Sequence, residues 1–558
     1  MTGLNPSTAS VSMATVKRAA AASHRLAVDR LEWAAALSLS LLALWLHAEV
    51  FRHAGGLWRD EIGGVQLATL PTLREVWRWL THDSFPLLFP LLVRLWSTVG
   101  LAGSDVGLRT LGFGIGCLLL GSVWLTARWL GLKPPVLALG VFAVNLSVIR
   151  WGDSLRAYGC GAMLILLTLG LIWRQVQSPS MARWTLASLA ALLSIQCLYA
   201  NAFLLLAIGI SGCAVCVRRK QTRAAWSVLA IGIPAAASLL PYLRPIAAAQ
   251  DHFLLEKVTV DAGVIWEHLD PAIGAPAIIM PFLWLFLAVT LVIAGVRGFQ
   301  SGRNAPPVAP DDRELFATCT FLLLCLGFCV YLKLSGLVKV WYFIPPMALG
   351  AMCLEVGLAA ARSRLRVPCL AVVLLLVAAA FPASLRSARA ALTEMDTVAG
   401  AVQRQAQPGD LVVVYPWYLG VSFGRYFNGD TAWVTVPEIE DLRFHRFDLV
   451  REKILAEFPV RPVLVRMEQT LRSGRRVWFV GEPPAAAGGE TAPPTVPPGP
   501  LPGVPNGWWE AYHTHIWGWQ AAYFLNHHAR QIESVPVASG RPVVVIEAVP
   551  LYVAKGWR

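Results

Sequence analysis

Twelve apolar stretches constrain this chain more than any other feature. They lie at residues 33–50, 87–103, 111–130, 134–149, 159–173, 184–200, 202–217, 225–243, 276–296, 315–334, 338–360 and 367–383. Each approaches the roughly 17 to 25 residues that cross about 30 Å of hydrocarbon. A segment in lipid must satisfy its own backbone hydrogen bonds, so these runs are expected to be helices. Composition agrees, because 56% of the 558 residues are hydrophobic and only 15% are charged. That leaves too few polar side chains to cover a soluble globule of this size. The expected fold is a polytopic α-helical membrane protein of about 11 transmembrane helices.

The formal charge of +13 does not indicate nucleic acid as a partner, because most Lys and Arg residues cluster in short loops between apolar runs, where they set topology. The ten cysteines all lie in apolar runs, so no disulfide framework is written. Cys213 and Cys216 have CxxC spacing without His or acidic neighbours and read as small packing residues. The arm at 1–30 carries Lys17, Arg18, Arg25 and Arg30 and has no apolar leader of its own. The first span is then its own insertion signal, and the N-terminus is cytoplasmic.

Downstream, "RRKQTR" at 218–223, the loop 297–313 and "RSRLR" at 362–366 are basic, whereas 244–275 carries Asp251, Glu256, Asp261, Glu267 and Asp270. Alternation places 51–85, 244–275, the turn near Lys339 and everything after 384 outside. Three apolar runs lie between residues 85 and 150, where parity requires an even number. One is therefore partial, and the run 87–103, which contains Arg94, is the expected one.

Three units follow: an N-terminal arm at 1–30, a membrane domain at 31–384 with its first outer loop at 51–85, and a small extracytoplasmic α/β domain at 385–558. The last is read from "DLVVVYPW" at 410–417, "RVWFVG" at 476–481 and "RPVVVIEAV" at 541–549, with a Pro/Gly/Ala-rich stretch at 483–505. Its aromatic cluster "NGWWEAYHTHIWGWQAAYF" at 506–524 suits a sugar-stacking surface, a membrane-contact belt or packing onto the membrane domain.

The polar residues worth singling out come from three outer segments. "GGLWRDEIGGVQLA" at 55–68 sets Arg59, Asp60 and Glu61 at the lip of the first span. "THDSFPLLFPLLVRLW" at 81–96 brings His82 and Asp83 before Pro86, and "RWGDSLRAYG" at 150–159 brings Asp153 and Arg156. Each alone suits a snorkelling cap or a helix start. Together they outline one external cavity.

"WRDEIGG", "DSFPLLFPLLVRLW", "LRTLGFGIGCLLLGSVWLTARWLGL" and "SLRAYG" occur in the order found in the GT-C membrane glycosyltransferases. The chain resembles their family 39 and 83 branch of polyprenyl-phosphate-mannose and aminoarabinose transferases, over residues 30–175 and again at "VKVWYFIPP". Two positions depart from the pattern: "FPL" replaces Pro-Pro before the second span, and Trp341 stands where an Arg precedes Tyr342, with Lys339 as the nearby cation.

The resemblance implies a multi-pass protein of a bacterial plasma membrane or cell envelope. It implies transfer of a sugar from a polyprenyl-phosphate donor to a lipid, glycan or protein acceptor on the outer face. Asp60 matches the family's base, and Glu61 orients the acceptor or binds a metal. Arg59, His82, Asp83, Asp153, Arg156, Lys339 and Tyr342 are the expected substrate-binding residues, with Arg156 and Lys339 as the candidate phosphate cations. A divalent ion shared by Asp60 and Asp153 stays optional, since such sites need more oxygen ligands than these. A transporter, or a non-catalytic glycan-binding scaffold, would also use many spans.

Overall fold

The computed structural model describes residues 6–558 apart from 84, 302–310, 483–491, 505–506, 538–539 and 545–546. Several expected features fall outside the described residues: the side chains of Lys17, Arg18 and Arg25, most of the loop 297–313, the side chains of 362–365 in "RSRLR", and part of the stretch 483–505.

Among the described residues, nine helices are long and apolar enough to cross a membrane, from Leu26–His53 to Arg366–Ala388. Polar contacts tie their ends into two opposite belts. In one belt Lys133 meets Asp29 at 2.7 Å, Arg366 meets Glu32 at 2.6 Å, Arg219 meets Asp312 at 2.8 Å, and Arg313 donates to the carbonyl of Gly131 at 3.1 Å. In the other, Arg389 meets Glu49 at 2.8 Å, Arg150 donates to Ser387 Oγ at 2.6 Å, and Tyr242 donates to Gln196 at 2.7 Å. Two more apolar segments run from belt to belt: Val136–Val144 with Leu146–Gly152, interrupted at Asn145, and Met181–Cys197. With these, eleven segments of the described chain run between the two belts, the architecture of a polytopic helical membrane protein.

The helix Ile344–Ala388 holds two of those crossings. Run straight, its 45 residues would span about 67 Å. Instead Trp341 at its start and Ser387 at its end contact the adjacent residues Trp151 and Arg150, so the helix doubles back.

The run 87–103 does not cross. Its helix, Leu88–Thr98, has 11 residues and reaches about 16 Å, half a bilayer core. Both ends stay in the second belt. The Leu87 amide donates to Tyr242 Oη at 3.3 Å, and the Trp96 indole donates to the carbonyl of Gly107 at 2.9 Å. Between them Arg94 donates to the carbonyls of Ala68, Leu70 and Pro71. A guanidinium so satisfied has no reason to enter lipid, which restores the parity.

Beyond the last span, a five-stranded mixed sheet carries the C-terminal fold in the order β2-β1-β3-β5-β4. The strands are β1 (Leu411–Val414), β2 (Ala432–Thr435), β3 (Val477–Val480), β4 (Ala529–Ser534) and β5 (Leu551–Trp557). β1 pairs in parallel with β2 and β3, while β5 is antiparallel to β3 and β4. The two expected strands at 410–417 and 476–481 are β1 and β3, fully buried, as continuous apolar runs in a parallel pair should be.

The expected strand at 541–549 is not in the sheet. Val543 makes an isolated bridge to Ala391, because neighbouring side chains are drawn elsewhere: Arg541 pairs with Asp396 at 2.6 Å and Glu547 with Arg59 at 3.3 Å. The sheet takes Leu551–Trp557 in its place.

These contacts also bolt the C-terminal fold to the second belt. Tyr426 Oη accepts from the Leu57 amide and donates to Asp105, which also pairs with Arg425. Arg451 pairs with Asp251 at 3.1 Å.

Candidate active site

A cavity of about 420 Å³ lies where the second belt meets the C-terminal fold. Arg59, Asp60, His82, Asp83, Arg156, Lys339 and Tyr342 all line it. Three remote outer segments of the sequence thus converge, and the C-terminal fold closes the space with residues such as Trp417, His445 and Trp509.

The helix Arg59–Ala68 presents the carboxylate. It starts at Trp58, whose backbone is extended, and carries Asp60 and Glu61 in its first turn, where the helix dipole favours negative charge. Consecutive helical residues are turned by about 100°, so only one of the two acids can face the cavity. Asp60 does. Its Oδ1 lies 3.8 Å from His445 Nε2 and 3.7 Å from Arg59 Nε. Both separations exceed a hydrogen bond, so neither group occupies the carboxylate's lone pairs.

Burial tends to raise the Asp60 pKa, but His445, Arg156, Arg59 and Lys339 outweigh it and hold the carboxyl below the ordinary aspartate range. Burial meanwhile pushes His445 down to about 4 despite the nearby Asp60. At pH 7 His445 is neutral, and Arg156, Arg59 and Lys339 are the cations that remain beside Asp60.

Arg156 stands at the start of the helix Ala157–Gln177. Its guanidinium donates to the Asp60 carbonyl at 3.0 Å and to both Asp83 oxygens at 3.1 and 3.5 Å, and it lies 4.3 Å above the Phe85 ring. Burial works against its charge, but Asp83 and Asp60 raise its pKa. Arg59 is gripped by the C-terminal fold: its amide and Nη1 reach Glu547 Oε1 at 3.1 and 3.3 Å, and its guanidinium covers Tyr418 at 4.6 Å. Burial raises the Glu547 pKa against the pull of Arg59.

Lys339 is the more open cation, 40% exposed and 3.3 Å from Glu256. Tyr342 packs near Tyr158, ring centroids 5.9 Å apart. His82 stacks on His252 at 4.5 Å, and burial lowers its pKa to about 4, so it is neutral at pH 7.

Two expected residues lie elsewhere. Glu61 is fully buried behind the cavity wall, where it accepts from Arg109 at 2.7 Å and from the Leu155 and Trp58 amides at 2.9 and 3.3 Å. It is a brace beneath Asp60, with no reach to an acceptor or a metal. Asp153 is also buried, paired with His47 at 2.8 Å, and Gly116 supplies the space it occupies, since a Cβ there would overlap its Oδ1. The donor set therefore does not fit an ion shared by Asp60 and Asp153. Among the described residues, no group of three or more His, Cys, Asp or Glu could hold a metal ion.

The sequence reading missed His445, Glu256 and Glu547 as partners of the site, because nothing in their local sequence points to a cavity built from remote segments. Arg109 had a signal: it sits inside "LRTLGFGIGC", one of the stretches singled out above.

No family model and no curated protein matches the chain. Among solved structures it is similar to the Archaeoglobus fulgidus oligosaccharyltransferase in the apo form, at 11% identity and a TM-score of 0.48, covering 80% of this chain and 69% of that one. It is likewise similar to the same oligosaccharyltransferase tethered with an acceptor peptide containing the NVT sequon via a disulfide bond, at 10% identity and a TM-score of 0.45, with the same coverage.

Proposed function

We propose that this protein is a GT-C-type membrane glycosyltransferase that moves a sugar from a polyprenyl-phosphate donor to an acceptor hydroxyl at the extracytoplasmic face. The observation that carries the proposal is the Asp60 carboxylate, which among the described residues has no hydrogen-bonded partner, in a cavity that it shares with the cations Arg59, Arg156 and Lys339. The sequence resemblance to polyprenyl-phosphate-mannose and aminoarabinose transferases supports it independently.

In this reading Asp60 takes the proton of the acceptor hydroxyl as its oxygen attacks the anomeric carbon. The carbon–oxygen bond to phosphate breaks, and its electron pair leaves on the phosphate oxygen. The departing anion gains charge at a low-dielectric boundary, and in this reading Arg156 and Lys339 are the cations that meet it. Arg156 is held by Asp83, which fixes its fork, while Lys339 keeps a looser point charge. One displacement without a covalent intermediate inverts the anomeric centre. These charges sit at helix ends around one cavity, an arrangement that suits surface chemistry better than transport through the midplane.

The test is transfer by the purified protein in vesicles supplied with polyprenyl-phosphate monosaccharides, read as release of polyprenyl phosphate together with a glycosylated acceptor. Release without transfer, or no release from any such donor, would argue against the assignment.

A further inference from the structure

The cavity has two unlike walls. The membrane helices and their outer loops bring Asp60, Arg156 and Lys339, and the C-terminal fold brings Trp417, His445 and Trp509. There Trp509 is 50% exposed, unusually open for so large a ring. One of its faces stacks on Tyr512, with centroids 5.0 Å apart and planes inclined by 20°, which leaves the opposite face to the cavity it lines. The next residue, Glu510, is nearly buried and also lines the cavity. The Trp417 indole and the Thr514 hydroxyl donate to it at 2.7 and 2.6 Å, both to Oε1. Among the described residues no hydrogen bond reaches Oε2, which leaves its lone pairs to a donor from the cavity.

A bare aromatic face beside a fixed carboxylate oxygen matches one ligand chemistry well. A saccharide ring has an apolar C–H face to lay on the indole and a rim of hydroxyls to donate to the carboxylate. Burial raises the Glu510 pKa, while the hydrogen bonds from Thr514 and Trp417 oppose it, and a phosphate or carboxylate brings acceptors to this wall where a saccharide brings donors. A Ser/Thr acceptor segment offers a hydroxyl without a flat C–H face beside it. We infer that Trp509 and Glu510 form an acceptor subsite for a neutral saccharide, in the same cavity as Asp60. The inference rests on the glycosyltransferase reading of that cavity and narrows its acceptor to a glycan.

The test uses the full chain in nanodiscs and saturation-transfer NMR titrations with cellotetraose, maltotetraose and mannotetraose, and a Ser/Thr-containing peptide for comparison. At least one tetrasaccharide should bind saturably. Trp509→Ala should weaken it about tenfold, the scale of one lost ring stack, and Trp509→Phe should restore binding to within about threefold of wild type. Trp509 is half exposed, so the alanine variant should fold. Absence of saturable tetrasaccharide binding, equal binding by wild type and Trp509→Ala, or binding of the peptide instead would overturn the inference. Reading binding and transfer separately on the wild type and the Trp509 variants distinguishes the two readings. Binding without any transfer by wild type would defeat the glycosyltransferase reading, and transfer indifferent to Trp509 would defeat the subsite.

Discussion

At the residue scale, two adjacent acids have opposite fates, and substitution should separate them. Glu61 neutralises Arg109, itself only 7% exposed, so Glu61→Gln leaves a buried guanidinium unpaired. Removing one partner of a buried pair typically costs about 3–5 kcal/mol, and the variant should show a clearly lower Tm in detergent. An unchanged Tm would mean the pair is not structural. Arg156→Lys should leave expression and insertion intact yet weaken donor use at least about tenfold, because an ammonium cannot reproduce the planar fork that spans Asp83 and a phosphate. Donor kinetics equal to wild type would make Arg156 an anchor alone. That Asp60 and Arg156 belong to one outer cavity was legible from "WRDEIGG" and "SLRAYG", two polar segments on the same side that both resemble the family's pattern. The division of labour between Asp60 and Glu61 was not legible, since it depends on the helix rotation and on Arg109, 48 residues away.

At the element scale, apolar length alone overstated one span and concealed another boundary. The run 87–103 is long enough on paper, but its helix ends at Thr98 and Arg94 is tied to the carbonyls of the first outer loop. Residues 99–104 should then lie on the cavity side. In a cysteine-free background, Gly103→Cys, an exposed position with no neighbour for a Cβ, should react with a membrane-impermeant maleimide from the same side as a cysteine placed after residue 558. Labelling from opposite sides would restore that run as a crossing. The strands at 410–417 and 476–481 were readable because buried parallel strands are continuous apolar runs. The run 541–549 has the same composition but is diverted by Arg541 and Glu547, whose partners lie in remote elements. Long-range charge pairing leaves no local signature.

At the scale of the whole molecule, the membrane helices supply the charged half of the cavity, and the C-terminal fold supplies His445, Trp509 and the Glu547 grip on Arg59. The site belongs to neither part alone, so a sequence divided at residue 384 conceals it. The central claim is that Asp60 is the base of a sugar transfer at this junction. Its most direct measurement compares wild type with Asp60→Asn, both purified and matched in Tm, for turnover of a polyprenyl-phosphate sugar across pH 5 to 8. Because the surrounding cations hold the Asp60 carboxyl below the ordinary aspartate range, its ionised form persists throughout that window. Wild-type turnover should show no acid limb attributable to this carboxylate above about pH 4, and Asp60→Asn should lose about 10² to 10⁴ in rate. Near-wild-type turnover by Asp60→Asn would contradict the account.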